Sequence, residues 1–486
     1  MGTARATRPT GRSTDTVSIL WKFGVMLVVG AVIFFIPPPE GVDPRGMHML
    51  GIFVATIIGL ILQPLPTPSL TLIGLAVAMV TGTMSVPDGE ALAGFANSTV
   101  LLIVAAFFIA DGFLLTGLGR RVALMFVSRL GKSPMGIAYG MAATDLILAP
   151  ATPSNTARAG GVVYPIIRSI AEVQNSTPET DESRRKLGSY LTFTASHVNV
   201  VTSAMFVTAM AGNPVAQQAA IDMGIEVTWG NWALAAIVPG LLSLAVVPWA
   251  MSKIYGPTVK KTPEAPDMAR RELTTMGKIS RGEITMIFTF VLLLVLWIFG
   301  SSIGIDATTA AFVGIAIMLL TRVLTWKDMA ANGSAWNTLI FFAVLVGMAG
   351  HLNDLGVIDW IGSVVPGMVG GMPWGLAFGI LALVYFYVHY LFASNTAQIV
   401  AMYAVFLAAA VAAGTPPLFG ALAFGFIGNL FGTLMHYSSG PAGVIYGSGY
   451  VKVHEWVRVA FIMSIILILI WTVVGGAWMA LLGMWN

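Results

Sequence analysis

The chain has no cysteine in 486 residues, and only 10% of its residues are charged. Without cysteine there is no disulfide framework, no thiolate nucleophile and no cysteine metal site. A soluble domain carries about a quarter charged residues. A chain this poor in charge and 57% hydrophobic belongs in a bilayer. The formal charge of +3 is too small to suggest a nucleic-acid partner. Also missing are a nucleotide-binding loop, a His/Glu zinc spacing and a nucleophile elbow. An enzyme is therefore not expected, and neither is a cofactor or a bound metal.

What the chain does have, it has twice. Ala151-Thr152-Pro153-Ser154-Asn155-Thr156-Ala157-Arg158 contains Ser-Asn-Thr-Ala, and the same string returns at Ser394-Asn395-Thr396-Ala397, 240 positions later (394 − 154). Each copy interrupts an apolar run of membrane length. Ser, Asn and Thr favour helix caps and turns over helix interiors, because their side chains compete for local backbone groups. Each copy therefore marks a break between two helices. Paired broken helices in the two halves of a membrane protein point to a transporter's binding site.

Apolar runs able to span a bilayer fall near 17–36, 46–63, 69–84, 98–117, 188–212, 232–254, 283–302, 306–322, 335–353, 417–437 and 457–482. The broken elements occupy 134–168 and 373–413, and an amphipathic piece lies near 357–368. The expected fold is an all-α polytopic membrane protein, with about eleven transmembrane helices and two re-entrant hairpins. The stretch 1–16 is Arg/Ser/Thr-rich, like an organelle transit peptide, but it is short and runs straight into a span, so a cytoplasmic tail is expected. Residues 17–255 form a first half, 256–282 a cytoplasmic linker and 283–486 a second half. With the N-terminus in the cytoplasm, 23 of the 25 Lys and Arg fall on the cytoplasmic side. The exceptions are Arg45 and Arg158. This puts the C-terminus outside and suits a bacterial inner membrane. Trp229, Trp232, Trp471, Trp478 and Trp485 are expected in the interfacial aromatic belt.

Five crossings separate the hairpins, an odd number, so the first opens from the cytoplasm and the second from outside. That is an inverted repeat. Each hairpin is followed by a Gly/Pro-interrupted helix, at Val207 to Pro214 and at Thr433 to Pro441. Pro removes an N–H and frees carbonyls, and irregular backbone at that depth is tolerated only where it is buried or lines a cavity.

A helix N-terminus offers unpaired N–H groups and about half a positive charge. Hydroxyl and amide donors on two such tips make two carboxylate seats. A molecule with two carboxylates fits them best. Arg158 sits in the first turn after the first tip, where a charge costs on the order of 3 kcal/mol by insertion scales. It is a fixed cation for a substrate carboxylate, or it pairs internally with Asp145, or it reaches the cytoplasmic face. Its counterpart is the neutral Gln398. Asp111, His389 and His436 also lie at membrane depth, with no role assigned.

These motifs resemble the divalent anion/sodium symporter family. Pro150 to Gly161, Ser203 to Thr208, His389 to Ser394 and Gly443 to Lys452 look like its citrate and 2-oxoglutarate/malate translocator branch. The resemblance implies a dimeric carrier of C4–C6 di- or tricarboxylates that works by an elevator motion. It implies substrate contacts from Ser154, Asn155, Thr156, Ser394, Asn395 and Thr396. Thr208, Asn213, Ser439, Gly440 and Pro441 in the breaks, with Arg158, complete the expected site. In sodium-coupled members the tips and breaks also ligate sodium, and the breaks tend to be Thr-Pro-rich. Here they read Ala211-Gly212-Asn213-Pro214 and Ser438-Ser439-Gly440-Pro441. With Arg158, that favours sodium-independent exchange; sodium-coupled symport on the same fold is the alternative, and a membrane-embedded enzyme a remote one.

Overall fold

The computed structural model describes residues 12–358, 360 and 372–485. The tail before Arg12 and most of the amphipathic piece expected near 357–368 lie outside it. Among the described residues the regular secondary structure is helical, in the order the apolar runs dictate. The first half contains α1 (Arg12–Phe34), α2 (Pro44–Leu62), α3 (Thr67–Val80), α4 (Ser98–Thr116), α5 (Leu118–Leu130) and α6 (Pro134–Leu148). Then α7 starts at Asn155–Ala157, passes through a π-helical stretch Arg158–Val163 and continues as Tyr164–Val173. It is followed by α8 (Asp181–Lys186), α9 (Gly188–Met205), α10 (Gly212–Asp222) and α11 (Trp229–Ile254).

After α12 (Glu264–Met276) come α13 (Arg281–Phe299), α14 (Ala307–Leu320), α15 (Trp326–Ala331) and α16 (Gly333–Asp354). The second hairpin is α17 (Trp374–Tyr387) and α18 (Asn395–Ala412). Next are α19 (Pro417–Leu430) and α20 (Gly440–Gly447). The closing α21 runs Val453–Leu469 and, through a π-helical stretch Ile470–Gly475, on to Gly476–Leu481.

Eight described helices are long and apolar enough to cross a membrane, and four shorter apolar ones accompany them. Their outward faces carry exposed large apolar side chains, such as Leu27, Val28 and Val32 on α1 and Phe288, Val291 and Val295 on α13. Lipid solvates such a surface. Local chemistry sets the helix starts. Asn97 accepts from Thr99 N and Val100 N at the head of α4, and Ser280 and Glu283 form a capping box on α13.

Two hydrophobic clusters divide the interior. One joins Met26, Ile52, Leu70, Met84 and Val100 to Phe342, Met348 and Leu352 of α16. The other fills the rest and includes both hairpins. On the hydrophilic end, Arg184 holds both oxygens of Glu455 at 2.7 and 2.9 Å and donates to Tyr450 O at 3.0 Å. Lys452 and Arg184 hold the Asp181 carboxyl down to about 2. These contacts fasten the connection after the first hairpin to the head of α21.

Three of the five tryptophans expected in the aromatic belt are core residues instead. Trp229, Trp232 and Trp471 are buried, and each indole N–H has a partner: Thr208 Oγ1 at 3.1 Å, Ala204 O at 2.9 Å and Ser243 Oγ at 3.1 Å. Only the satisfied N–H lets a tryptophan leave the interface for the core.

Candidate functional site

The two Ser-Asn-Thr strings are helix starts. At the first, Thr152 and Ser154 are extended, and Ser154 Oγ accepts from Ala157 N at 3.1 Å. At the second, Ser394 is extended and its Oγ accepts from Ala397 N at 3.3 Å. Thus α7 and α18 each begin with a side-chain cap in the middle of the protein, the geometry that a Ser-x-x-N–H contact produces. The breaks start helices too. Ser439 Oγ caps α20 by accepting from Ala442 N at 3.2 Å, while α10 starts at Gly212 without a capping side chain from Ala211.

The halves are exchanged at the site. The first tip meets the second break: a Cβ on Gly440 would lie 2.1 Å from Thr156 Oγ1, so only glycine allows the approach. The second tip meets the first break, with Thr396 Oγ1 3.8 Å from Met210 Sδ. Between them, Asn429 Nδ2 donates to Asn213 Oδ1 at 2.7 Å and joins the two halves directly. Four helix N-termini therefore gather at the middle of the protein: α7, α10, α18 and α20.

The expected site residues separate into two sets. Ser154, Asn155, Thr156, Ser394 and Thr396 are half-buried, and Gly440 is exposed. Among the described residues, neither the Asn155 amide nor the Thr156 hydroxyl has a hydrogen-bond partner, so both are free to meet a ligand. The others are spent on the protein. Asn395 donates to Gly428 O and Asn429 O at 3.2 and 3.3 Å. Thr208 donates to Pro150 O and accepts from Trp229. Asn213 donates to Ser203 O and Phe206 O at 2.8 and 2.9 Å. Ser439 is buried between its cap contact and Gly432 O, and Pro441 is buried behind it. Thr208 and Asn213, expected to touch substrate, instead hold the first break in shape.

Arg158 needs the largest correction. Its side chain is 0% exposed, and it faces no open site. The guanidinium donates to Asp145 Oδ1 at 3.2 Å, Ser203 Oγ at 2.9 Å, Ala209 O at 2.6 Å and the Thr152 carbonyl. Asp145 in turn accepts from Asn199 at 3.3 Å and from the Thr202 hydroxyl. Of the roles open to Arg158 in the sequence, the internal pair with Asp145 is the one this structure contains. A buried ion pair persists only when its remaining donors and acceptors are satisfied, and here neighbouring carbonyls and hydroxyls do that.

The second half has an amide and an imidazole in place of the ion pair. Gln398 Nε2 donates to Tyr385 O at 2.7 Å, and its Oε1 lies 2.6 Å from His389 Nδ1. The other ring nitrogen of His389 is 3.0 Å from Ser438 O. Arg158 reaches a carbonyl of the first break, and Gln398 with His389 reaches one of the second. Beyond their shared hairpin, nothing in the sequence signals the His389–Gln398 contact, and nothing signals that Met210 stands at the second tip.

Comparison with known proteins agrees with this architecture. Residues 17–485 match the family model described as the sodium:sulfate symporter transmembrane region. YflS of Bacillus subtilis (strain 168) is 49% identical over 95% of this chain and 96% of its own. Dicarboxylate transporter 1 of Arabidopsis thaliana, a chloroplast protein, is 45% identical over 94% of this chain and 82% of its own. The citrate/succinate antiporter of Escherichia coli (strain K12) is 35% identical over 96% and 99%. The crystal structure of the Alcanivorax borkumensis YdaH transporter superposes with a TM-score of 0.53 at 13% identity, over 96% of this chain and 98% of that one. It shares the fold.

Proposed function

The chain belongs to the sodium:sulfate symporter family, the divalent anion/sodium symporters, and from that premise we propose that it exchanges di- or tricarboxylates across the membrane without sodium. It is a multi-pass membrane transporter and not an enzyme. In our reading the carrier is a homodimer in a bacterial inner membrane, with its N-terminus in the cytoplasm, its C-terminus outside and an elevator motion of the hairpin-bearing part.

The observation that carries the reading is the meeting of capped helix N-termini from opposite halves beside Asn155 and Thr156, whose polar groups are free. Fixed N–H dipoles and uncharged donors bind a carboxylate without fixing its charge in place, so the ligand can also leave. Relatives named for dicarboxylates and for citrate and succinate support the same ligand class.

Sodium independence is supported by what occupies the break carbonyls. Carbonyl and carboxylate oxygens are what a desolvated sodium ion binds, and here the Arg158 guanidinium already holds Thr152 O, Ala209 O and Asp145. Ser438 O of the second break is held by His389. A built-in donor replaces the imported cation. The empty carrier then keeps four positive helix ends near one another, and a bound dianion relieves that repulsion before the hairpins move.

Uptake of labelled succinate, 2-oxoglutarate and citrate into proteoliposomes tests this. Each acid is run with and without unlabelled acid inside, and with sodium or potassium outside. Exchange predicts uptake that needs internal acid and ignores the cation. Uptake into empty vesicles driven by a sodium gradient would make the protein a symporter.

A further inference from the structure

We propose that Met210 determines how many carboxylates the carrier accepts, by filling with its thioether a seat that a third carboxylate would otherwise take. The inference rests on the carboxylate-exchange reading above and concerns its second tip alone.

The two tips face different chemistry. At the first, Thr156 abuts the exposed backbone of Gly440, and the helix beginning there has its own serine cap. At the second, Thr396 faces a side chain that is 2% exposed, and that side chain is Met210. Its sulfur also receives the N–H of Gly212, the first residue of α10, at 2.9 Å. A helix-terminal N–H and a threonine hydroxyl thus converge on one sulfur. Both are good donors, and a thioether is among the weakest acceptors a protein has. An anionic oxygen placed there would satisfy both donors far better, and α10 has no capping side chain from Ala211 to compete with it.

The sulfur therefore stands where an anion would be welcome and blocks it by volume. Ile399 closes the other side: a Cβ on Gly212 would lie 2.8 Å from its Cδ1. In this reading a dicarboxylate seats one carboxylate at Asn155 and Thr156 and the other at the second tip, and has none left for that space. A branched tricarboxylate cannot place its extra carboxylate there while methionine holds it.

The test compares Met210→Ala and Met210→Leu with the wild-type protein in proteoliposomes, with labelled succinate inside and succinate or citrate outside. Met210→Ala opens the space and leaves the Gly212 N–H and Thr396 hydroxyl to a ligand. The citrate-to-succinate affinity ratio is expected to move about tenfold toward citrate, equivalent to 1.4 kcal/mol. Met210→Leu refills the volume and is expected to keep the wild-type ratio. An unchanged ratio in the alanine variant, with succinate exchange intact, would overturn the inference and leave the carrier reading standing. So would an equal shift in the leucine variant. Absence of any carboxylate exchange by the wild type would instead defeat the carrier reading itself.

Because the chain has no cysteine, Met210→Cys supplies a second readout that does not need transport. A small anionic thiol reagent is expected to label the introduced thiol, and citrate should slow that labelling more than succinate does. Labelling that neither acid slows would overturn the assignment.

Discussion

At the same register, 240 positions apart, the first hairpin holds Asp145 and Arg158 and the second holds Tyr385 and Gln398. All four side chains are buried. One hairpin is tied to its break by an arginine paired with an acid, the other by an amide and an imidazole with no acid beside them. The backbone problem is the same in both halves: a break leaves carbonyls at membrane depth, and each must find a donor. Arginine solves it alone, reaching two carbonyls, but it needs an acid within reach. Gln398 solves it only with His389 as an extension. Inverted repeats therefore need not repeat residues, only the satisfaction of the same groups.

The sharpest break in that comparison is Arg158→Ala. It strands the Asp145 carboxylate with Asn199 and Thr202 as its only side-chain donors, and losing one member of a buried pair costs about 3–5 kcal/mol. Thermal unfolding in detergent should show a large drop in Tm, with exchange lost. His389→Ala removes the imidazole without stranding an acid and should cost about 1–3 kcal/mol. If the two variants lose equal stability, the charge difference between the halves has no energetic meaning.

The double variant Asp145→Asn with Arg158→Gln tests the same point in reverse, by giving the first half the neutral character of the second. It should recover much of the stability lost by Arg158→Ala, because no uncompensated charge remains. With the guanidinium gone from Thr152 O and Ala209 O, exchange should weaken, and raising sodium should restore part of it. Exchange at the wild-type rate would show that Arg158 is only a strut.

The mildest expected effect is at the free hydroxyl of the first tip. Thr156→Ala removes a hydroxyl that bonds nothing among the described residues, so Tm should stay within about 1 °C, as for a surface change. The apparent affinity for succinate should fall about tenfold, the size of one charge-assisted hydrogen bond. Equal losses in Thr156→Ala and Thr396→Ala would mean that the tips read the ligand alike in spite of Met210.

Much of this was legible in the sequence. The duplicated string, its placement in apolar runs and the Gly/Pro interruptions located both hairpins and both breaks. The first hairpin, expected over 134–168, is Pro134 to Val173, and the second, expected over 373–413, is Trp374 to Ala412. What could not be read was which polar groups are left free and which are spent on the protein. Thr208 and Asn213 look as accessible as Thr156 in a one-dimensional string, and their partners Pro150 and Asn429 are set by tertiary packing. The tryptophans went the same way: an indole next to a helix end suits the interface, and only Ala204 O and Ser243 Oγ reveal that it is core. Methionine hides best, since 26 of them invite a packing explanation for each.

All eighteen residues of α9, Gly188 to Met205, are buried. Helices from both halves wrap it, and its Ser189, Thr192, Thr194, His197, Asn199 and Thr202 leave it outside the eight segments apolar enough to cross a bilayer. A nascent chain is sorted into lipid one segment at a time, by the cost of each segment's polar groups. Alone, α9 fails that test. Asn199 and Thr202 find Asp145 of α6, Ser203 finds the Arg158 guanidinium of α7, and Ser189 finds Tyr450 O, which is synthesised more than two hundred residues later. The last of these partners belongs to the second half, so a polar helix made in the first half needs shelter at the translocon until that half arrives.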